Sequence, residues 1–159
     1  MNISLKELTK EKFATANLCD KTCNISPDET NLEALDTGTL KRLSGGDNIS
    51  SDKKYATDMV CFKSVVKLLI SMNEDLSFAD NSKGFSRRVR VIPFEGTFEA
   101  GNRDVHIEHR LLSKEVLQII AYRAIVAFKK RLNSGDDDLT SPASVKKATD
   151  RYLAKNDPI

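Results

Sequence analysis

Residues 65–71, with the sequence VVKLLIS, form the apolar run that most constrains the fold of this chain. A short, nearly continuous apolar run is typical of a β-strand covered on both faces, because a half-exposed strand alternates apolar and polar residues. Residues 21–26, which Pro27 is expected to end, and residues 89–94 are predicted to be further strands. Because these strands alternate with helical patterns, we predict an α/β fold.

Short helices are predicted in the first third of the chain. Ser4 and Glu7 have the spacing of a capping box, in which each residue satisfies a free amide of the other at the start of a helix. Thr37 or Thr39 can cap another short helix, which the two glycines at 45–46 are expected to end. The acidic stretch between them, residues 28–37, is predicted to be a loop.

A hairpin and two longer helices complete the expected secondary structure. Apolar positions on both sides of the polar segment 50–54 predict a β-hairpin. Ser113 and Gly135 bracket a long helix, and another helix is expected to begin at Pro142. The long helix carries one apolar face at helical spacing, made of Leu117, Ile120, Ala121, Ala124, Phe128 and Leu132.

Composition and hydropathy favour a folded domain that does not enter membranes. With 159 residues, 40% of them hydrophobic and 30% charged, the chain can form a folded domain with a sizeable core. It contains no apolar run of the roughly 18–20 residues that span a bilayer and no apolar signal region, so we expect a cytoplasmic protein that does not enter membranes. The net charge of +2 does not by itself indicate nucleic-acid binding, so any such claim depends on the local placement of basic residues.

Cysteine and histidine give no strong sign of a metal centre. Cys19, Cys23 and Cys61 lack the spacings of common zinc or redox motifs, and we expect them to be reduced thiols. His106 and His109 lie three residues apart without an obvious third ligand, which favours ordinary surface positions.

Polar residues follow two of the predicted strands. Asp28 and Glu29 come directly after the first strand, where a carboxylate can orient water or hold Mg²⁺ beside a nucleotide phosphate; the alternative is an ordinary capped loop. Asn73 follows the strand at 65–71, where an amide can position water against a phosphate, although asparagine also simply favours turns.

Two basic segments are candidates for phosphate contacts. Lys53, Lys54 and Tyr55 lie at the expected hairpin tip, where they could grip a phosphate backbone and stack on a base, unless the tip is only a solvated turn. Arg87 and Arg88 precede the strand at 89–94, where a guanidinium could reach a phosphate on a neighbouring subunit or form a structural salt bridge.

The order of these segments resembles that of the phage/plasmid-type primase–helicases, whose motor is a superfamily 3 helicase of the AAA+ class. The resemblance extends from about Asn2 to Phe98 and includes part of the C-terminal tail. The segments that carry it are Ser4-Leu5-x-x-Leu8, residues 12–18, Asn24-Ile25, Asp36-Thr37-Gly38, residues 43–49, Lys54-Tyr55, residues 67–74, residues 84–94, residues 144–152 and Asn156-Asp157-Pro158.

The resemblance implies roles for the candidate residues around a nucleotide. It implies that Asp28, with or without Glu29, is the Walker B acid that orients the attacking water and holds Mg²⁺. Asn73 would be the sensor amide that contacts the γ-phosphate of ATP. Arg88, or alternatively Arg87, would be the arginine finger that reaches the ATP of the neighbouring subunit.

The resemblance also implies DNA as a partner. Lys53 and Lys54, with Tyr55, would lie on the hairpin that contacts single- or double-stranded DNA in the channel of a ring, expected to be a hexamer in the parent protein. The phosphate-binding motif G-x-x-x-x-G-K-[ST] of this family does not occur in the 159 residues. ATP and Mg²⁺ are therefore expected to bind the intact parent protein and not to bind this chain tightly.

Two functions follow as alternatives. The chain is either the back part of an ATP-dependent replicative helicase motor, inactive alone, or a stand-alone, catalytically dead module that binds DNA or an intact helicase ring. Residues 1–99 are predicted to be a partial AAA+ core and residues 100–159 a C-terminal helical segment. Since the phosphate-binding strand of such a sheet is missing here, the strand at 89–94 is expected to pair directly with the one at 65–71 or with a partner's strand.

Overall fold

The computed structural model describes residues 1–29, 36–53, 55, 58–73, 80, 82–99, 101, 103–135 and 142–155, with Asp28 described by its backbone alone. These residues form two compact units, residues 1–91 with 147–159 and residues 92–146. The predicted division into residues 1–99 and 100–159 stays a prediction.

The first unit begins with the predicted capping box. Helix α1, Leu5–Lys10, starts at Ser4, whose hydroxyl accepts the Glu7 N–H at 3.2 Å while the Glu7 carboxylate accepts the Ser4 N–H at 2.9 Å. Hydrogen bonds from Ser4 lower the pKa of the Glu7 carboxyl. A short 3-10 helix, Thr15–Leu18, follows. The predicted helix start at Ser4 is therefore confirmed.

Strands β1, Cys23–Glu29, and β4, Lys67–Met72, form a two-stranded parallel sheet in which Ile25 lies opposite Leu69. On one face of this sheet the side chains of Asn24 and Ser26 are buried. On the other face Ile25 and Leu69 are 55% and 51% exposed. The expectation that the apolar strand is covered on both faces is wrong for the described residues, because Ile25 and Leu69 remain about half exposed.

Pro27 lies within β1 and does not end it, which corrects the prediction that the strand stops there and that residues 28 and 29 belong to a loop. The pairing with β4 shifts register between Ser26 and Glu29. Proline lacks an N–H group and is tolerated in a strand where the regular ladder is interrupted. The strand thus continues past Pro27 and places Glu29 opposite Met72.

Helix α2, Thr37–Gly45, has the predicted end but a different cap. Asp36 caps it, since its carboxylate accepts the Gly38 N–H at 2.8 Å and the Thr39 hydroxyl at 2.7 Å, so the prediction of a Thr37 or Thr39 cap is wrong. An aspartate accepts backbone N–H groups at a helix start at least as well as threonine does. Gly46 ends the helix with φ of 76°, a conformation that favours glycine.

The predicted hairpin is confirmed. Strands β2, Asn48–Asp52, and β3, Met59–Lys63, pair antiparallel, with Ile49 opposite Phe62 and Asp52 opposite Met59. Ser50 and Ser51, expected in the turn, belong to β2, so the connection between the strands starts at Lys53.

Two apolar clusters stabilise the first unit. One contains Leu8 of α1 and Leu43 of α2, and the other contains Leu5 and Leu40 of the same helices. Helix α6, Ala143–Lys155, contributes Tyr152 to the second cluster. Each of the two short helices thus joins both clusters through leucines three positions apart, which lie on the same helical face.

Residues 89–94 are not a strand, which corrects that prediction. The Val91 N–H donates to the hydroxyl of Thr149 on α6 at 2.9 Å, and the side chains of Val89 and Val91 pack against the second cluster. A strand needs a neighbouring strand for its backbone groups, whereas the Val91 N–H has a helix side chain as its partner.

The second unit contains the long predicted helix, α5, Lys114–Ser134, preceded by α4, Ile107–Leu111. Ser113 caps α5, and Gly135, with φ of 66°, ends it, as predicted. Its apolar face does not lie in a core: Leu117 is 46% exposed and Phe128 57% exposed. None of the described helices is both long enough and apolar enough to cross a lipid bilayer. The mixed α/β character of the fold is confirmed.

Candidate functional site

The carboxyl ends of β1 and β4 meet at one edge of the parallel sheet. Glu29, at the end of β1, lies opposite Met72 of β4, and the exposed Asn73 follows Met72 directly. The fold therefore brings two predicted site residues, Glu29 and Asn73, to the same edge from positions far apart in the chain. In open α/β sheets ligands bind beyond this edge.

Glu29 is buried and makes two contacts within the first unit. One carboxylate oxygen accepts the Leu5 N–H at 2.6 Å and also accepts the hydroxyl of Ser26. These bonds anchor the start of α1 to the end of β1. The side chain of Asp28, the other predicted acid, lies outside the described residues, and its role stays a prediction.

The two arginines have different surroundings. Helix α3, Lys83–Ser86, precedes them and is capped by Ser82. The side chain of Arg88 is half-buried; one of its nitrogens donates to the Gly84 carbonyl, and the other lies 3.2 Å from where a Cβ on Gly45 would stand. The side chain of Arg87 is exposed. The two residues are adjacent and chemically identical, so only the resemblance ranked them, with Arg88 first.

Asp80 links the segment before the arginines to α2, a contact that the sequence analysis missed. One of its oxygens accepts the Thr37 hydroxyl at 2.7 Å and the Lys41 ammonium at 2.8 Å, and the other accepts the Ser82 N–H at 2.9 Å. The hydrogen bond from Lys41, followed by those from Thr37 and Ser82, holds the pKa of the Asp80 carboxyl well below its usual range. Lys41 lies 39 residues before Asp80, so no local pattern indicates this pair.

Asp80 and Arg88 thus hold the arginine segment against opposite ends of α2. Asp80 bonds to Thr37 and Lys41 in its first half, while Arg88 lies against Gly45 at its last turn. The hairpin follows α2 directly, since β2 begins three residues after Gly45. Helix α2 therefore connects the hairpin to the turn that carries Arg87 and Arg88.

The hairpin tip presents two of its three predicted contact residues to solvent. Lys53 is exposed, and Tyr55 is 95% exposed with φ of 63°. Lys54 lies outside the described residues. Among the residues that the structure describes, no group of three or more histidine, cysteine or acidic side chains is placed to hold a metal ion.

Comparison with known proteins relates the chain to a protein of Invertebrate iridescent virus 6 named "Putative helicase 184R". The two are 27% identical over 160 aligned residues, which cover 84% of this chain and 16% of the viral protein. The chain thus spans about a sixth of the length of this relative, and the likeness supports a helicase-related family. A family model, described as DUF5906, a family of unknown function, matches residues 1–88. Because that match includes more than half of the 159 residues, the chain belongs to the DUF5906 family.

Proposed function

We propose that this chain is part of a helicase-type motor of the AAA+ class that acts on DNA during phage or plasmid replication. In this proposal the chain supplies the acidic, sensor, arginine and DNA-contacting segments of the motor, and other segments supply the cradle for the ATP phosphates. The observation that carries the proposal is the likeness to the helicase-named viral protein over 84% of this chain.

The parallel pairing of β1 and β4 supports this assignment. A motor that hydrolyses ATP needs an acid and a polar sensor near the same phosphate, because catalysis of phosphoryl transfer depends mainly on positioning and charge. Glu29 and Asn73 follow paired strands and lie at one sheet edge. In our proposal Asn73 contacts the γ-phosphate of ATP from that edge.

The contacts of Glu29 favour Asp28 as the acid that acts on the nucleotide. Glu29 already accepts the Leu5 N–H and the Ser26 hydroxyl, so its carboxylate serves the fold. A carboxylate beside ATP would need its oxygens available for Mg²⁺ or water. We therefore assign the Mg²⁺ and water contacts to Asp28, and the positioning of β1 against α1 to Glu29.

The surroundings of the arginines favour Arg87 as the finger, the reverse of the order that the sequence resemblance implies. Arg88 is half-buried and donates to the Gly84 carbonyl, whereas Arg87 is exposed. A guanidinium that stabilises phosphate charge on a neighbouring subunit has to extend beyond the surface of its own subunit. We propose that Arg88 orients the turn and that Arg87 reaches the neighbouring ATP.

The proposal is tested by the binding of single-stranded DNA to the hairpin tip. The double substitution Lys53→Ala/Lys54→Ala should lower the affinity and make it less sensitive to salt, because each lost phosphate contact reduces the slope of log K against log salt by about 0.7. The matched control is Lys129→Ala/Lys130→Ala on α5. Equal affinity and equal salt slope for the hairpin variant and the wild-type chain would contradict the proposed DNA contact.

A further inference from the structure

A shallow groove of about 300 Å³ lies beside the hairpin, between α1, the 3-10 helix, α2 and β2. Three cations from two parts of the chain line it: Lys10 and Lys12 at and just after the end of α1, and Arg42 on α2. Two acids, Glu11 and Asp52, also line it. The charged side chains of the groove therefore sum to a net positive charge.

One of the two acids is paired within the groove. The carboxylate of Asp52 lies 2.6 Å from the Lys12 ammonium, and these side chains are 35% and 71% exposed. An ion pair with this exposure contributes little to stability, since water screens both charges. Little stability is therefore lost if the Lys12 ammonium leaves Asp52 to contact a phosphate group.

Hydrogen bonds from hydroxyl groups fix the side of the groove that carries Lys12. The Thr15 hydroxyl donates to the Ser51 hydroxyl at 2.9 Å, and Ser51 donates to the Lys12 carbonyl at 3.3 Å. These bonds join the backbone of Lys12 to β2. The backbone of Lys12 is thus held at a set place along the hairpin, while its long side chain remains adjustable.

The groove continues the surface of the hairpin tip. Ser51 and Asp52 line it, and the next residue is the exposed Lys53. Beside it, Phe13 is 37% exposed, and the centroid of its ring lies 5.6 Å from the Lys12 ammonium. Proteins that bind single strands combine a basic groove along the backbone with aromatic rings on which unpaired bases stack.

We propose that this groove binds the phosphate backbone of single-stranded nucleic acid, with Lys12 and Arg42 as phosphate contacts and Phe13 as a stacking surface. The inference rests on the proposed function, because the groove and the hairpin tip form one continuous surface. It adds a second contact region, formed by α1 and α2, to the one assigned to the hairpin.

The test measures the binding of fluorescein-labelled oligo-dT by fluorescence anisotropy, between about 50 and 200 mM salt. The double substitution Lys12→Gln/Arg42→Gln should weaken binding about 5- to 10-fold, as expected for two partly exposed charge-assisted contacts. The matched control is Lys67→Gln/Lys83→Gln, which removes two charges that do not line the groove and should leave the affinity within about twofold.

A second variant distinguishes a phosphate site from a merely structural role. Asp52→Asn removes the acid that competes for Lys12, so it should tighten binding about threefold and steepen the salt slope. Misfolding cannot produce a gain of affinity. Unchanged or weaker binding by Asp52→Asn would overturn the proposal.

Lys53→Gln, measured in the same assay, separates the groove from the hairpin. If Lys53→Gln weakens binding and Lys12→Gln/Arg42→Gln does not, the groove proposal is overturned and the hairpin contact stands. If the groove variant alone weakens binding, the groove stands and the hairpin contact fails. A wild-type chain that does not bind oligo-dT overturns both.

Discussion

Helix α2 and helix α5 carry similar apolar patterns but have different environments. In α2 both Leu40 and Leu43 are buried, and each belongs to one of the two clusters of the first unit. In α5 the equally regular positions Leu117 and Phe128 are 46% and 57% exposed. Helical spacing predicts which residues share a face, but a partner from elsewhere in the chain decides whether that face is buried.

Substitution of leucines in the two helices should give the largest contrast. Leu43→Ala removes a fully buried side chain and leaves a cavity, which should lower the free energy of unfolding by about 2–5 kcal/mol. Leu117→Ala removes an exposed side chain and should change it by about 0.5 kcal/mol or less. Urea denaturation followed by circular dichroism provides the measurement. A comparable loss for both variants would mean that α5 is covered in solution.

The contact between Asp80 and α2 should make the first unit sensitive to acid. Because its hydrogen bonds lower the pKa of Asp80, the carboxylate stabilises the fold above its ordinary pKa of about 3.9, and this stability is lost as the pH falls below that value. Asp80→Asn should therefore be less stable than the wild type at pH 7, and the difference should shrink progressively as the pH falls below about 4. Urea denaturation at a series of pH values measures the difference.

Lys41→Met is the matched variant for this prediction, because it removes the cation and retains much of the side-chain length. In the Lys41→Met background, Asp80→Asn should cost less stability at neutral pH than it does in the wild-type chain, since Lys41 makes the largest contribution to the lowered pKa. A difference between wild type and Asp80→Asn that stays constant from neutral to acid pH would contradict a stabilising carboxylate.

The contrast between α2 and α5 also shows which features the sequence could predict and which it could not. Local signals were sufficient for the caps at Ser4 and Ser113 and for the glycine end at Gly135, since these involve neighbours within one turn. The partner of residues 89–94 depends on Thr149, more than fifty residues away, and no local pattern distinguishes a helix hydroxyl from a neighbouring strand. The exposed face of the β1–β4 sheet could not be predicted for the same reason.

The candidate site shows more clearly that local sequence patterns do not predict contacts between distant segments. The order of acidic, basic, amide and arginine segments predicted where candidate functional residues lie along the chain. It did not indicate that Glu29 bonds to the start of α1 or that Arg88 faces Gly45, because both contacts form only when distant segments pack together. Sequence thus proposed the residues, and packing separated those that serve the fold from those that face solvent.

Substitution of the helix caps should give a smaller contrast between the two units. Asp36→Ala removes the acceptor at the start of α2 and should lower the stability of the first unit by about 1 kcal/mol. Ser113→Ala removes the cap of α5 and should increase exchange of the first α5 amides without affecting the first unit. Amide hydrogen exchange resolves both effects. Equal protection of the α2 amides in wild type and Asp36→Ala would contradict the assigned cap.

The smallest contrast in stability should come from the arginine pair, whose substitutions also test the assigned roles. Arg87→Ala should change the free energy of unfolding by less than about 0.5 kcal/mol, because the side chain is exposed. Arg88→Ala should lower it by about 1 kcal/mol, since the guanidinium donates to the Gly84 carbonyl and lies against the end of α2. Arg88→Lys keeps the charge but loses the planar geometry, so it should restore only part of that stability. If Arg87→Ala is the more destabilising change, then Arg87 holds the turn, and Arg88 becomes the better candidate for contact with a neighbouring phosphate.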